Sequence, residues 1–175
     1  GAFVDGTSGD RFESRNPANF DEILGTFPLS SEQDVNNAVS AAKTAYDGWR
    51  RLSRIKRGEH FDEFVQLLKK DREEISRLVT KECGKGIVEG RADVTEGIHM
   101  VQYTFGTVRM PHGDVVDSEI PEKDAFMRRK PKGVVAAISP WNFPFAIPLW
   151  LICPSVVEGN TVILKPSRET ACTAN

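Results

Sequence analysis

The sequence predicts an α/β fold organised around a parallel βαβ unit near its carboxyl end. Two short apolar runs, Val134 to Ile138 and Thr161 to Leu164, have the composition of strands that are buried on both faces. The segment between them, Pro144 to Val157, has the length of a crossover helix. We therefore expect a right-handed connection between parallel strands, with a ligand site where the two strands end.

The first residues are predicted to form a small meander of short strands. Turn signals, among them Asn16-Pro17, separate the strand-like runs. The three predicted strands are Ala2 to Val4, Arg11 to Arg15 and Glu22 to Leu29.

Four amphipathic helices are predicted to follow the meander. The first begins at Ser31, which forms a capping start with Asp34, and Gly84 can end the third. We interpret the apolar stripes of these helices as core packing. The stripes are Val35, Ala38, Val39, Ala42, Tyr46 and Trp49; Phe61, Phe64, Val65 and Leu68; Ile75, Leu78, Val79 and Cys83; and Val94, Ile98, Val101, Phe105 and Val108.

Residues 111–132 are predicted to form a hairpin that projects from the body. Two extended segments, GDVVDSEI and AFMRRKP, are joined through a turn at Pro121 to Asp124. An extended arm with an unpaired edge suits an oligomer contact, and an internal sheet edge is an equally weighted alternative.

Composition is that of an ordinary globular protein and disfavours several partners. A net charge of −2 gives no electrostatic basis for binding nucleic acid or an anionic membrane. Three cysteines without CxxC spacing and three scattered histidines signal neither a disulfide framework nor a zinc site, so we expect no metal and a reducing, cytoplasmic compartment. The chain begins at Gly1 without a cationic, apolar leader, from which we expect a trimmed start.

The uncharged run between Lys132 and Glu158 is long enough to span a bilayer. Four prolines and Asn142 interrupt it, and each interior proline removes a backbone hydrogen bond that lipid cannot replace. We therefore prefer the buried βαβ unit to a membrane span.

Asn142 is the candidate catalytic residue. It lies just past a predicted strand end between Pro140-Trp141 and Phe143-Pro144, so a proline restrains its backbone on each side. A side-chain amide held in this way can donate to a developing oxyanion with little reorganisation. Spacing alone favours the alternative that Asn142 caps the following helix.

Lys165 ends the second predicted strand of the βαβ unit. Ser167 and Thr170 follow it and can cap a helix from Arg168 to Asn175. A cation and a hydroxyl beside a helix N-terminus suit ribose hydroxyls or phosphates, and a solvated lysine is the alternative. No GxGxxG occurs in the chain, so the glycines give no evidence for a dinucleotide.

PWNFP at 140–144 and EGNTVILKPS at 158–167 resemble motifs of the aldehyde dehydrogenase superfamily. NPA at 16–18 and ECGK at 82–85 extend the resemblance over nearly the whole chain. It implies a Rossmann-like α/β cofactor domain that binds NAD or NADP without the glycine motif. Residues 1–110 would be its N-terminal strands and helices, 111–132 an oligomerisation hairpin, and 133–175 its first, truncated βαβ unit.

The resemblance also implies a reaction. Asn142 would steady the oxyanion that forms when a cysteine thiolate attacks a small-molecule aldehyde. The thiohemiacetal would pass a hydride to the nicotinamide, and a water activated by a glutamate would hydrolyse the resulting thioester. By position, Ser139, Pro140 and Trp141 would line the cofactor cleft, and Lys165 with Ser167 would lie around the adenine ribose.

Both the cysteine and the glutamate of such enzymes lie beyond residue 175, and Cys83, Cys153 and Cys172 do not match the nucleophile's motif. We therefore expect the N-terminal part of an aldehyde dehydrogenase, inactive alone and a homo-oligomer, dimer or tetramer, at full length. A non-catalytic dinucleotide-binding or structural protein on the same scaffold is the alternative.

Two positions depart from the family pattern. Arg168 follows KPS where the family commonly has Glu, and a cation there should tolerate or favour NADP unless it points into solvent. Leu151 stands where many members carry a lysine assigned to proton relay. Leucine carries no protons, so any relay must take another route.

Overall fold

The computed structural model describes residues 4–175. Four helices lie between two β-hairpins, and a parallel βαβ unit follows. The predicted strand from Ala2 to Val4 falls mostly outside the described residues, and Val4 itself is in neither helix nor strand. The elements are β1 (Arg11–Asn16), β2 (Asn19–Pro28), α1 (Glu32–Arg51), α2 (Arg54–Lys70), α3 (Arg72–Cys83), α4 (Ile87–Thr107), β3 (Gly113–Val116), β4 (Ala125–Arg128), β5 (Val134–Ile138), α5 (Ala146–Val157), β6 (Thr161–Lys165), a 3-10 turn (Arg168–Thr170) and α6 (Ala171–Ala174).

Helix α1 begins at the predicted capping box. Ser31 Oγ accepts from the Asp34 backbone N–H at 3.3 Å, and the Asp34 carboxylate accepts from the Ser31 backbone N–H at 2.7 Å. The expectation that the apolar stripe of α1 is buried core is wrong, because no residue of α1 is fully buried and Val35 is 53% exposed. This helix lies against a two-stranded sheet, where Thr161 Oγ1 donates to the carbonyl of Ala42 at 3.0 Å. So small a sheet covers only part of the stripe.

The hydrophobic core lies among α2, α3, α4 and α5. As predicted, α3 ends at Gly84, whose φ of 71° is in the left-handed region. Helices α4 and α5 approach closely at Gly97, where a Cβ would lie 2.6 Å from Cδ1 of Phe145. The contact fixes the start of α5 against α4. The buried members of the core are Phe61, Val65, Leu68, Val79, Val94, Ile98, Val101, Val108, Phe145, Leu149, Cys153 and Val157.

The βαβ unit has the predicted parallel strands. Val134 pairs with Thr161 and Ile138 with Lys165, and α5 connects the two strands. The expectation that both strands are buried on both faces is wrong, because Ile138 is 72% exposed and β6 has no fully buried residue. Within residues 4–175 each strand has one neighbour in this sheet, so its outer edge and part of its faces stay open. None of the helices within residues 4–175 combines the length and hydrophobicity needed to cross a bilayer.

The predicted hairpin is formed by the antiparallel strands β3 and β4, with Gly113 opposite Arg128. At its base, His112 Nε2 lies 2.6 Å from Oε2 of Glu158, the residue that follows α5. Arg54 at the start of α2 binds the other oxygen of the same carboxylate. The root of the hairpin is thus fixed to the helical body while its strands extend away.

Candidate functional site

The carboxyl ends of β5 and β6 meet at one edge of the sheet. The Ser139 backbone N–H donates to the carbonyl of Lys165 at 3.2 Å, which extends the ladder one residue past the paired strands. Ser139 is buried, and its Oγ has no hydrogen-bond partner within the described residues. Lys165 is exposed. The structure therefore places a buried hydroxyl and an exposed lysine at the carboxyl ends of two neighbouring strands.

Asn142 lies in the turn between β5 and α5, and its side chain is exposed. Helix α5 has Phe145 as its N-cap residue, with no side-chain hydrogen bond from that residue. The Ala146 backbone N–H donates instead to Oδ1 of Asp93 at 2.9 Å. Asn142 does not cap this helix, so the alternative favoured by spacing is wrong. Across residues 4–175 the Asn142 amide makes no hydrogen bond, which leaves it free to donate to a ligand.

Sequence reasoning missed the two charged residues that hold this turn. Lys85 Nζ donates to the backbone carbonyl of Asn142 at 2.8 Å and lies 3.6 Å from Oδ2 of Asp93. Asp93 is fully buried, and that burial raises the pKa of its carboxyl, against the opposing effects of the Ala146 N–H and the Lys85 charge. The signal was available, because Asp93 precedes Val94 on the apolar stripe of α4. A carboxylate at a core position needs partners.

Three residues after β6 have contacts that bear on their predicted roles. Ser167 Oγ accepts from the Glu169 backbone N–H at 3.2 Å and is a cap, as predicted, but the predicted helix from Arg168 to Asn175 is a 3-10 turn followed by the short helix α6. Thr170 takes the N-cap position of α6, but its side chain makes no capping hydrogen bond. The guanidinium of Arg168 lies over the ring of Phe12 in β1, with 5.0 Å from Cζ to the ring centroid.

Trp141 and Arg168 line one cleft of about 450 Å³ between β1, the end of α3 and the 3-10 turn. Trp141 is 62% exposed, and its backbone carbonyl accepts from Sγ of Cys83 at 3.6 Å. The other predicted site residues do not line this cleft; they are Ser139, Pro140, Asn142, Lys165 and Ser167. The structure thus places Trp141 and Arg168 on this cleft and the other predicted residues outside it.

Glu82 is a second buried carboxylate that the apolar pattern of α3 did not reveal. Its Oε1 accepts from Ser14 Oγ and the Cys172 backbone N–H, both at 2.7 Å. Its Oε2 accepts from the backbone N–H and the hydroxyl of Thr173 at 2.7 and 2.6 Å. One side chain on α3 thereby joins β1 to α6.

The three cysteines are free thiols that burial makes poor nucleophiles. Desolvation raises the pKa of Cys83 and of Cys172 to about 11, and that of Cys153 to about 12. Since the thiolate is the attacking species, none of them is activated near neutral pH. No group of three or more metal-binding side chains was found in the part of the chain that the structure describes.

The fold is that of an α/β domain with a candidate ligand site at the ends of its parallel strands. Its parallel strands end beside an exposed amide, a buried hydroxyl without a partner and a lysine, at the edge where such sheets bind ligands. The predicted α/β fold is confirmed.

The chain belongs to the aldehyde dehydrogenase family, whose sequence model, described as "Aldehyde dehydrogenase family", matches residues 3–175. It is 39% identical over 173 residues to the alpha-ketoglutaric semialdehyde dehydrogenase of Bacillus subtilis (strain 168), across 99% of this chain and 36% of the relative. This chain therefore spans about a third of the length of the curated relatives it matches.

Solved structures agree with the sequence relatives. An E. coli NADP-dependent enzyme matches with a TM-score of 0.94 at 28% identity, over 99% of this chain and 36% of that chain. A double mutant of betaine aldehyde dehydrogenase from Staphylococcus aureus, in complex with NAD⁺, matches with a TM-score of 0.93 at 29% identity, over 98% of this chain and 34% of that chain.

Proposed function

We propose that this chain is the N-terminal, cofactor-binding part of an NAD(P)-dependent aldehyde dehydrogenase that oxidises an aldehyde to a carboxylic acid. The observation that carries the proposal is the free, exposed amide of Asn142, held in a proline-flanked turn at the end of β5. The length of the matched relatives supports it as well, since they are about three times as long as this chain.

Asn142 would act when a cysteine thiolate supplied from outside residues 1–175 attacks the aldehyde carbon. As the C–S bond forms, the carbonyl π electrons move onto oxygen. The Asn142 Nδ2–H donates to that oxyanion and lowers the barrier, because a donor already in place needs no reorganisation. Collapse of the oxyanion expels hydride from the same carbon, and NAD(P), when bound, supplies the acceptor for it.

The residues at the strand ends fit a dinucleotide. Ser139 offers a buried hydroxyl without a partner, and Lys165 offers an exposed cation at the end of the neighbouring strand. Pro140 and Trp141 extend the wall of the site, and Ser167 keeps the chain after β6 turned back on itself through its cap. We propose that these groups bind the ribose and phosphate region of NAD or NADP, without a glycine-rich loop.

The test compares the 175-residue chain with a full-length protein that contains it. We expect the full-length protein to form NAD(P)H from an aldehyde, and the 175-residue chain to form none because the nucleophile and general base are elsewhere. NAD(P)H absorbance after mixing enzyme, aldehyde and cofactor measures both. NAD(P)H formation by the 175-residue chain would contradict the proposal that the nucleophile and the general base lie outside it. Cofactor binding without turnover by the full-length protein would favour the non-catalytic alternative.

We also propose that Arg168 permits NADP where a glutamate would repel its 2′-phosphate. Arg168 follows β6 by three residues, and its guanidinium already has a partner in the ring of Phe12 in β1, with 5.0 Å from Cζ to the ring centroid. In the full-length protein, Arg168→Glu should shift the ratio of NADP to NAD affinity toward NAD by about tenfold or more. Titration of each cofactor measures the ratio. A strong NAD preference that Arg168→Glu leaves unchanged would refute the role.

The β3–β4 hairpin is proposed as the contact that makes the full-length protein a homodimer or tetramer. Val115 and Phe126 lie directly opposite each other and are 86% and 77% exposed, an apolar pair that a partner surface would cover. Replacing both with serine should lower the molar mass measured by light scattering, whereas Asp114→Asn on the same strand should not. An unchanged mass in the double variant would remove the hairpin from the interface.

Finally, we place the protein in a reducing compartment, the cytoplasm. Its three cysteines are free thiols and none pairs with another within the described chain. That usage is typical of proteins that do not depend on disulfides for stability.

A further inference from the structure

The turn that presents Asn142 is held by a lysine from a different part of the chain. Lys85 lies between α3 and α4, flanked by Gly84 and Gly86. Its ammonium donates to the Asn142 backbone carbonyl at 2.8 Å and lies 4.8 Å from the centroid of the Phe143 ring. Only 16% of the Lys85 side chain is exposed. Its contacts with the turn therefore hold both the lysine and the turn in place.

Asp93 holds the other end of the same turn. Its Oδ1 accepts from the Ala146 N–H at 2.9 Å, where α5 begins, so a carboxylate on α4 satisfies one of the free donors of α5. Its Oδ2 is fully buried, makes no hydrogen bond and has the ammonium of Lys85 at 3.6 Å. The two residues therefore form one ion pair that spans the turn from Asn142 to Ala146.

The side chain of Asn142 makes no hydrogen bond to the described residues that would hold it in place. Its amide is exposed and unbonded, and prolines restrain the neighbouring backbone dihedrals without setting where the turn lies relative to the helices. A donor must sit within a narrow range of the developing oxyanion to be effective. The turn is held to the helices at the Asn142 carbonyl and at the start of α5, with the Cys83–Trp141 contact beside them.

We propose that Lys85 and Asp93 are positioning residues that set where the Asn142 amide points. The inference rests on the proposed function, since it requires Asn142 to stabilise an oxyanion. Neither Lys85 nor Asp93 contacts the substrate in this role. Loss of either residue is expected to slow the chemical step, because the Asn142 amide is then displaced from the oxyanion.

The test is a double-mutant cycle in a full-length protein containing this chain. Lys85→Met keeps an unbranched side chain and removes the donor and the charge. It should lower kcat by up to about 10²-fold, the cost of a displaced catalytic group, with little change in KM for the aldehyde. In an Asn142→Ala background the same change should have almost no further effect on kcat, because the group being positioned is gone. Lys85→Arg, which keeps the charge and donors, should recover part of the rate.

Lys81→Met is the matched control, because Lys81 lies four residues earlier and makes an exposed ion pair with Glu22. It should leave kcat unchanged. If Lys85→Met does not fold, Asp93→Asn replaces it in the cycle, since an amide oxygen can still accept from Ala146. Equal losses of kcat in both backgrounds, or no loss in either, would overturn the inference. If Asn142→Ala itself has no effect on kcat, the proposed function fails instead.

Discussion

Replacing Asn142 with alanine in a full-length protein that contains this chain is expected to lower kcat by about 10²–10³-fold, the usual cost of removing one oxyanion donor. The Asn142 amide is exposed, makes no hydrogen bond to residues 4–175 and is not used as a helix cap. Its loss therefore leaves no structural hydrogen bond unmade. Because the donor acts on the transition state, the KM for the aldehyde should change much less than kcat. Steady-state rates of NAD(P)H formation separate the two.

Asn36→Ala is the matched control, because Asn36 is an exposed asparagine on α1, distant in the chain from the turn. It should leave kcat and KM as they are. Asn142→Asp adds a second comparison, since an aspartate of nearly the same size cannot donate when ionised and should be at least as slow as the alanine variant. A rate within twofold of the unmodified protein in Asn142→Ala would rule out the oxyanion role.

Local signals in the sequence predicted the elements well. Ser31 and Asp34 supply both halves of a capping box, and Gly84 supplies a left-handed residue after α3, so each boundary follows from residues a few positions apart. The parallel pairing of β5 with β6 followed from two apolar runs separated by a helix's length. These features depend on neighbours along the chain, which a sequence shows directly.

What the sequence did not reveal depends on partners far apart in the chain. Asp93 and Lys85 meet a turn more than fifty residues away, and Glu82 binds backbone groups some ninety residues away. Periodicity marks a helix face but does not say which polar residue on it finds donors. The open faces of β5 and β6 were also missed, because the sequence of a strand does not show how many strands pair with it.

Glu82 gives the second large effect we expect, on stability. It is a buried carboxylate with four donors from three residues, Ser14 in β1 and Cys172 and Thr173 in α6. Glu82→Ala removes the acceptor for all of them and should lower the free energy of unfolding by about 3–5 kcal/mol, since each buried donor left unpaired costs about 1–3 kcal/mol and water can reach some of them. Denaturant unfolding of a full-length protein measures the loss.

The contacts of Glu82 also predict which part of the structure is loosened by its replacement. Its Oε2 binds only Thr173 and its Oε1 binds Ser14 and Cys172, so Glu82→Gln keeps one acceptor oxygen and turns an NH₂ toward the remaining donors. About half of the alanine effect is therefore expected. Hydrogen exchange in a peptide covering 168–175 should speed up in both variants, whereas Glu63→Ala, an exposed glutamate on α2, should change neither exchange nor stability by more than about 0.5 kcal/mol. Unchanged exchange in Glu82→Ala would show that α6 is held by its apolar contacts and not by this carboxylate.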